Sequence, residues 1–161
     1  MRLSLFVANL ALLLAACSPG AREASSVAAQ AAAPVHPASG LAIIPLTVVH
    51  GQIRHNFRVE AAVTPEQQAK GLMFRTALAP DEGMIFPMNP PRTASFWMRN
   101  TVIPLDLIFI GADGRITNIA ANAVPYDEAP LRSTGQVKGV LELTGGRAAQ
   151  LGIVAGDAVV W

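Results

Sequence analysis

Residues 105–121 read LDLIFIGADGRITNIAA and predict a β-hairpin. An apolar run from Leu105 to Ile110 is followed by Asp113-Gly114, and a second run extends from Arg115 to Ala121. Asp-Gly between two such runs is a strong hairpin signal, because these residues accept the positive φ that a tight hairpin turn requires. The stretch therefore predicts antiparallel pairing as the basis of the fold.

Residues 53–61 alternate apolar and polar side chains without a fault, which predicts a half-buried strand. Residues 46–49 precede them and predict the other strand of a hairpin. The exposed face of residues 53–61 is expected to carry Arg54, Asn56, Arg58 and Glu60.

The alternation of apolar and polar residues ends before Thr64, where a short helix is expected to begin. Thr64 and Gln67 have the spacing of a capping box, and Pro65 suits the first helical turn. The helix is expected to extend to about Met73. Its buried face is expected to carry Ala69, Leu72 and Met73.

Short apolar runs separated by turn residues continue to the end of the chain, and each is typical of a strand. These runs are residues 83–88, 94–98, 139–143 and 157–161, and Asn89-Pro90-Pro91 is expected to end the first of them. A second helix is expected over residues 144–151, with Thr144 as its N-cap and Gly152 at its end. The pattern predicts an α+β domain of mainly antiparallel β structure, barrel- or sandwich-like in shape, with two short helices.

Several segments resemble the domain of unknown function 192 (DUF192) family. The segments are GLMFR (71–75), EGMIF (82–86), FWMRNT (96–101), IPLDLIF (103–109) and DGRI (113–116). The resemblance covers about residues 57–161. It implies a compact β-rich fold found in exported or membrane-anchored bacterial proteins, and it implies no particular activity. Arg99 departs from the family pattern, which often has Lys at this place.

The first 17 residues resemble a bacterial lipoprotein signal. Arg2 precedes an apolar stretch that ends in Leu14-Ala15-Ala16, and Cys17 follows as the single cysteine of the chain. The stretch is shorter than the about 20 residues of a membrane-spanning helix. The resemblance implies that residues 1–16 are a cleaved signal peptide and that Cys17 is acylated with fatty acid. Ser18 resembles the residue that directs lipoproteins to the periplasmic face of the outer membrane. An ordinary cleaved signal peptide is the alternative.

Composition divides the remainder of the chain. Residues 17–40 are rich in Ala, Ser and Pro and predict a flexible tether after the lipidated cysteine, whereas residues 41–161 predict one globular domain. The whole chain carries a net charge of +1, and Arg2 is the one charged residue of the predicted signal peptide. The mature chain is therefore neutral, which argues against a nucleic-acid partner.

Chemistry-bearing residues concentrate around residue 100. Trp97 and Arg99 are expected to share one strand face, where an aromatic ring beside a cation suits a sugar ring or an acidic group. The alternative places Trp97 in the core and Arg99 in solvent. Asp106 interrupts an apolar strand, so its carboxylate needs a partner, and Arg75 or Arg99 could supply it. Asp106 is then either a structural group that holds the sheet together or a catalytic acid or base.

Complete motifs for other chemistry are absent from the sequence. One cysteine and three separated histidines do not form a metal-ligand set, and neither a nucleophile motif nor a phosphate loop is present, so no metal and no cofactor are expected.

The sequence predicts a lipid-anchored protein of the bacterial cell envelope. Its domain is expected to bind a ligand, such as an envelope glycan, or a protein partner without turnover. The candidate contacts are Arg75, Trp97, Arg99 and Asp106. The alternative is a hydrolase or lyase acting on envelope polysaccharide, with Asp106 as acid or base and Arg99 orienting the substrate.

Overall fold

The computed structural model describes residues 33–161. The predicted signal peptide, Cys17 and residues 17–32 of the predicted tether lie outside the described residues. The strands are β1 (Ile43–His50), β2 (Ile53–Ala61), β3 (Glu82–Phe96), β4 (Leu105–Gly111), β5 (Ile116–Ala123), β6 (Leu131–Thr144) and β7 (Ala158–Val160), and the helices are α1 (Pro65–Lys70) and α2 (Arg147–Leu151). Strands thus predominate and two short helices accompany them, as the sequence predicts.

One curled sheet contains the strands in the order β5-β4-β6-β3-β2-β1-β7. The pairs are antiparallel except β2 and β3, which run parallel because the segment containing α1 carries the chain back between them. The two edges meet where the N–H of Ile116 donates to the carbonyl of Asp157 at 2.9 Å, and the N–H of Val159 donates to that of Gly114 at 2.8 Å. The sheet curls into a half-barrel whose two edges touch near these residues, which confirms the predicted barrel-like architecture.

The hairpin predicted from residues 105–121 is confirmed. β4 and β5 pair antiparallel, and in the turn the N–H of Gly111 donates to the carbonyl of Arg115 at 2.7 Å. Gly114 adopts a φ of 83°, which glycine accepts without a steric penalty.

β3 is longer than the sequence predicts. Asn89-Pro90-Pro91 does not end it, and one strand of 15 residues replaces the two expected runs. The reason lies in its pairing with β6, whose register shifts between Pro87 and Arg92. The prolines fall in this irregular part of the ladder, where their missing N–H groups interrupt no regular hydrogen bond.

The capping box of α1 is confirmed, but the helix is shorter than predicted. The N–H of Gln67 donates to the hydroxyl of Thr64 at 3.3 Å, and the N–H of Thr64 donates to the side-chain carbonyl of Gln67 at 2.9 Å. Gly71 caps the helix after Lys70, so the prediction that it extends to Met73 is wrong. Leu72 is buried as expected, whereas Ala69 is exposed.

The predicted N-cap of α2 is wrong. The hydroxyl of Thr144 donates to the carbonyl of Leu78 at 3.2 Å, and Gly146 occupies the cap position without a side-chain hydrogen bond. A distant carboxylate takes over this role: Asp106 accepts from the N–H of Gly146 at 2.9 Å and from the N–H of Ala148 at 2.7 Å. The predicted end of the helix at Gly152 is confirmed.

Hydrophobic residues cover both faces of the sheet. Alternate residues of β4 enter different clusters, so that Ile108 and Ile110 pack inside the half-barrel while Leu107 and Phe109 pack on the opposite face. The inner cluster includes Leu46, Val48, Phe57, Val59, Ile85, Leu141, Leu143 and Val159. The opposite cluster includes Leu72, Met84, Phe86, Met88, Met98, Leu105, Val137 and Val140. Both cores therefore lie within residues 41–161.

The exposed face of β2 and the start of the domain both differ from the sequence prediction. Arg54 and Arg58 are exposed on β2 as predicted, but Glu60 is only 3% exposed, so the expected exposed face is wrong at its last position. Contacts with the sheet also begin before residue 41, since the N–H of Ile43 donates to the carbonyl of Pro34 at 2.7 Å.

Replacing Asp106 by Asn should destabilise the fold. The carboxylate accepts three backbone hydrogen bonds, the third from the N–H of Asn122 at 2.7 Å. An amide would turn its own N–H toward one of these donors, and we expect a loss of about 2–3 kcal/mol in the free energy of unfolding, measured by urea denaturation. Asp81→Asn, on the surface, is the control and should change it by less than about 0.5 kcal/mol. Equal stabilities of the two variants would contradict the structural role of Asp106.

Candidate functional site

A cavity of about 290 Å³ lies between α1, the turn that follows it and the bent middle of β3. Its apolar walls are Leu72, Met73, Phe86, Met88, Phe96 and Trp97, and its polar lining comprises Gln68, Lys70, Arg92, Ser95, Thr101 and Glu142. Lys70, Arg92 and Trp97 are exposed, so they mark the mouth. Apolar walls with few polar groups are typical of small-molecule sites, and this volume is near the lower end of their size range.

Glu142 lies at the buried end of this cavity. It belongs to β6, between Met84 of β3 and Leu107 of β4, and only 5% of it is exposed. Burial in these apolar surroundings raises the pKa of the Glu142 carboxyl to about 8, because a charged carboxylate would lose its hydration. The group is therefore mostly a neutral acid at neutral pH, able to donate a hydrogen bond.

Glu60 is a second buried carboxylate of the same sheet and, unlike Glu142, it has hydrogen-bond partners. Glu60 pairs across the sheet with Met84, and Met84 pairs with Glu142, so both glutamates occupy one face about 10 Å apart. Arg75 donates to both oxygens of Glu60 at 2.8 and 3.0 Å, and the hydroxyl of Ser39 donates as well. Among the described residues, no group donates a hydrogen bond to the Glu142 carboxyl or forms an ion pair with it.

Trp97 lies at the mouth of the cavity, and Arg99 lies against its ring without lining the cavity. The guanidinium carbon of Arg99 is 4.4 Å from the Trp97 ring centroid, and Arg99 donates to Glu128 at 2.8 and 3.1 Å. These hydrogen bonds hold the pKa of Glu128 below its ordinary value and raise the pKa of Arg99. The two residues belong to a turn after β3 rather than to one strand face. Trp97 is 46% exposed, so the alternative that it is a core residue is wrong.

The other two predicted contacts lie elsewhere. Arg75 is engaged by Glu60 and also lies 3.2 Å from Nε2 of His36. Asp106 is 0% exposed and does not line the cavity, and its carboxylate is occupied by backbone N–H groups. The structure therefore matches the structural alternative for Asp106 and does not bring the four predicted residues into one site.

Strained backbone accompanies the cavity. Phe74 and Asn100 have φ values of 63° and 55°, a conformation that costs free energy for a residue with a side chain. Phe74 directly follows Met73, and Asn100 directly precedes Thr101. Met73 and Thr101 both line the cavity. The N–H of Phe74 donates to the carbonyl of Asn100 at 2.8 Å, so the two turns hold one another in place. Strain of this kind is common beside ligand sites.

Glu142 is the residue that sequence reasoning missed. The signal was available, since Glu142 stands between Leu141 and Leu143 as Asp106 stands between Leu105 and Leu107. The pattern identifies a buried carboxylate, but it cannot tell which of the two has hydrogen-bond partners.

Metal ligands do not converge in the part of the chain that the structure describes, where no group of three or more His, Cys, Asp or Glu side chains could hold an ion. His50 and Asp157 form a pair at 3.1 Å, and neither lines the cavity. No helix within residues 33–161 is long and apolar enough to cross a bilayer.

Comparison with known proteins gives the family. The DUF192 family, described as "Uncharacterized ACR", matches residues 46–161, and the chain belongs to this family. No curated protein matches the chain. A solved structure of a protein of unknown function from Novosphingobium aromaticivorans is 62% identical, covers 82% of this chain and 94% of its own, and superposes with a TM-score of 0.79.

A second solved structure is that of a candidate transcription regulator from Sinorhizobium meliloti. It is 40% identical to this chain, covers 74% of this chain and 94% of its own, and has a TM-score of 0.72.

The buried position of Glu142 predicts a pH-dependent stability. Below about pH 4.5 the carboxyl is protonated in both the folded and the unfolded chain; between about 4.5 and 8 only the folded chain keeps the proton. The Glu142 contribution to the free energy of unfolding should therefore fall, as pH rises through this window, by up to about 1.4 kcal/mol per unit.

Chemical denaturation at a series of pH values measures this effect as the difference between the wild type and Glu142→Gln. The Gln variant should lack the decline and be the more stable form above pH 8, whereas the exposed control Glu128→Gln should retain it. Parallel pH profiles of the wild type and Glu142→Gln would contradict the assignment.

Proposed function

We propose that this protein is a lipid-anchored ligand-binding domain of the bacterial cell envelope, and that the cavity at Glu142 and Trp97 is its binding site. The domain binds without turnover. The family is described as uncharacterized and the Novosphingobium aromaticivorans relative as a protein of unknown function, so the proposal rests on the site itself.

The observation that carries the proposal is the carboxyl of Glu142, which lines the cavity and has no hydrogen-bond or ion-pair partner among the described residues. Among the described residues, Nε2 of His55 is the fully buried side-chain atom without a hydrogen-bond partner, so the Glu142 oxygens are reached from the cavity and are not sealed in the core. This fold supplies partners to Asp106 and Glu60. A ligand in the cavity would supply the one that Glu142 lacks.

Catalysis through Asp106 finds less support. A general acid or base has to reach the substrate, and the carboxylate of Asp106 is fully buried and occupied by three backbone N–H groups. The description of the Sinorhizobium meliloti relative is not carried over to this chain, because a neutral mature chain offers little attraction to nucleic acid.

The membrane placement rests on the pattern around Cys17. We expect the wild-type chain, expressed in a Gram-negative host, to incorporate radiolabelled palmitate and to sediment with the membrane fraction. Cys17→Ala should incorporate none, while His55→Ala should behave as the wild type. Unlabelled wild-type protein in the soluble fraction would refute the lipid anchor.

Ligand binding is tested by heat-stability screening of the chain from residue 17, with Cys17→Ser, against glycans and peptidoglycan fragments. At least one compound should raise the Tm, and Trp97→Ala should remove the effect. Trp161→Ala is a matched control, because Trp161 also stacks with a cation, Lys138 at 4.7 Å, but does not line the cavity. A flat response across the panel would refute small-ligand binding.

A further inference from the structure

The polar groups of the cavity occur in two chemically different places. Lys70 and Arg92 lie at the mouth with exposed side chains, and Arg92 donates to Gln68 at 3.4 Å. Glu142 lies at the buried end among apolar residues. Cations at the mouth favour an anionic group on the ligand, whereas the neutral acid within favours a hydrogen-bond acceptor.

The walls restrict the body of the ligand. Phe86, Met88 and Phe96 line the cavity and favour a small apolar group beside the acceptor. Trp97 at the mouth offers an aromatic surface to a flat apolar face, such as one side of a pyranose ring. About 290 Å³ is room for one such ring with its substituents and excludes a long polymer segment from the interior.

We propose that the cavity binds a single acylated amino sugar that carries a carboxylate, with the acyl carbonyl accepting a hydrogen bond from Glu142 and the carboxylate facing Lys70 and Arg92. The inference rests on the proposed function and names its ligand class. The sugar ring lies against Trp97, and the methyl of the acyl group enters the apolar end. Arg99 and Glu128 hold the Trp97 ring in position from outside the cavity.

Binding of this kind depends on pH. Glu142 donates only as the neutral acid, and its pKa is raised to about 8 by burial. Above that pH it becomes a carboxylate that repels a carbonyl oxygen, so the affinity should fall. The other charged groups that face it are Lys70 from α1, Arg92 from β3 and, two strands away on the same face, Glu60 with its partner Arg75.

Three probes test the ligand class on the chain from residue 17, which contains both cores and carries Cys17→Ser. N-acetylmuramic acid has both features; N-acetylglucosamine lacks the carboxylate, and muramic acid lacks the acyl carbonyl. Titration calorimetry and ¹H–¹⁵N NMR should show N-acetylmuramic acid binding about tenfold or more tightly than either of the others, with shifts at the cavity residues.

Variants separate recognition from folding. Glu142→Gln keeps a donor and should bind N-acetylmuramic acid within about threefold of the wild type, without the decline above pH 8, whereas Glu142→Leu should lose about tenfold or more. Arg92→Gln should weaken the binding of N-acetylmuramic acid and leave the affinity for N-acetylglucosamine unchanged. Arg54→Gln, an exposed cation outside the cavity, is the control.

Equal affinities for the three probes, no binding of N-acetylmuramic acid at millimolar concentration, or unchanged binding by Glu142→Leu would each overturn the inference. If another compound of the panel shifts the cavity residues while N-acetylmuramic acid does not, the inference fails and the proposed binding function stands. If no compound does so, both fail.

Discussion

The carboxylate of Asp106 is the interaction on which the arrangement of the fold depends. Its two oxygens accept backbone hydrogen bonds from Asn122 at the end of β5 and from Gly146 and Ala148 at the start of α2. One side chain of β4 thereby connects a neighbouring strand and the helix that follows β6. An ionised acceptor is suited to this role, because hydrogen bonds to a charged group are about twice as strong as those between neutral groups. The same contacts remove Asp106 from any contact with a ligand.

Four carboxyl groups are buried among the described residues, those of Glu60, Asp106, Glu142 and Asp157, and the difference between their environments identifies the site. Asp106 is satisfied by backbone, Glu60 by Arg75 and Ser39, Asp157 by His50 and the N–H of Val154, and Glu142 by no group among the described residues. Burial without a partner favours the neutral acid, so Glu142 combines an apolar setting with the capacity to donate a hydrogen bond. The cavity and its aromatic mouth occur at this residue and at none of the other three.

Local patterns were sufficient for much of the fold. The Asp113-Gly114 hairpin, the Thr64–Gln67 capping box and the end of α2 at Gly152 are confirmed, because each depends on residues close together in sequence. The predictions that failed depend on distant partners. Asn89-Pro90-Pro91 continues a strand because the register to β6 shifts there, and Thr144 does not cap α2 because the Asp106 carboxylate, brought from another strand, already accepts the N–H groups at its start.

The sequence by itself determined the family, the mainly antiparallel β architecture and the two short helices, because period, turn residues and local motifs are properties of neighbouring residues. It also contained the acylation pattern around Cys17, which remains a prediction. Only the tertiary structure decided that the Asp106 carboxylate has hydrogen-bond partners, whereas the Glu142 carboxyl has none among the described residues. It also decided that Trp97 lines a cavity and that Arg75 belongs to a structural ion pair. These outcomes depend on groups separated by tens of residues, whose proximity is set by strand order and register, and no local pattern records it.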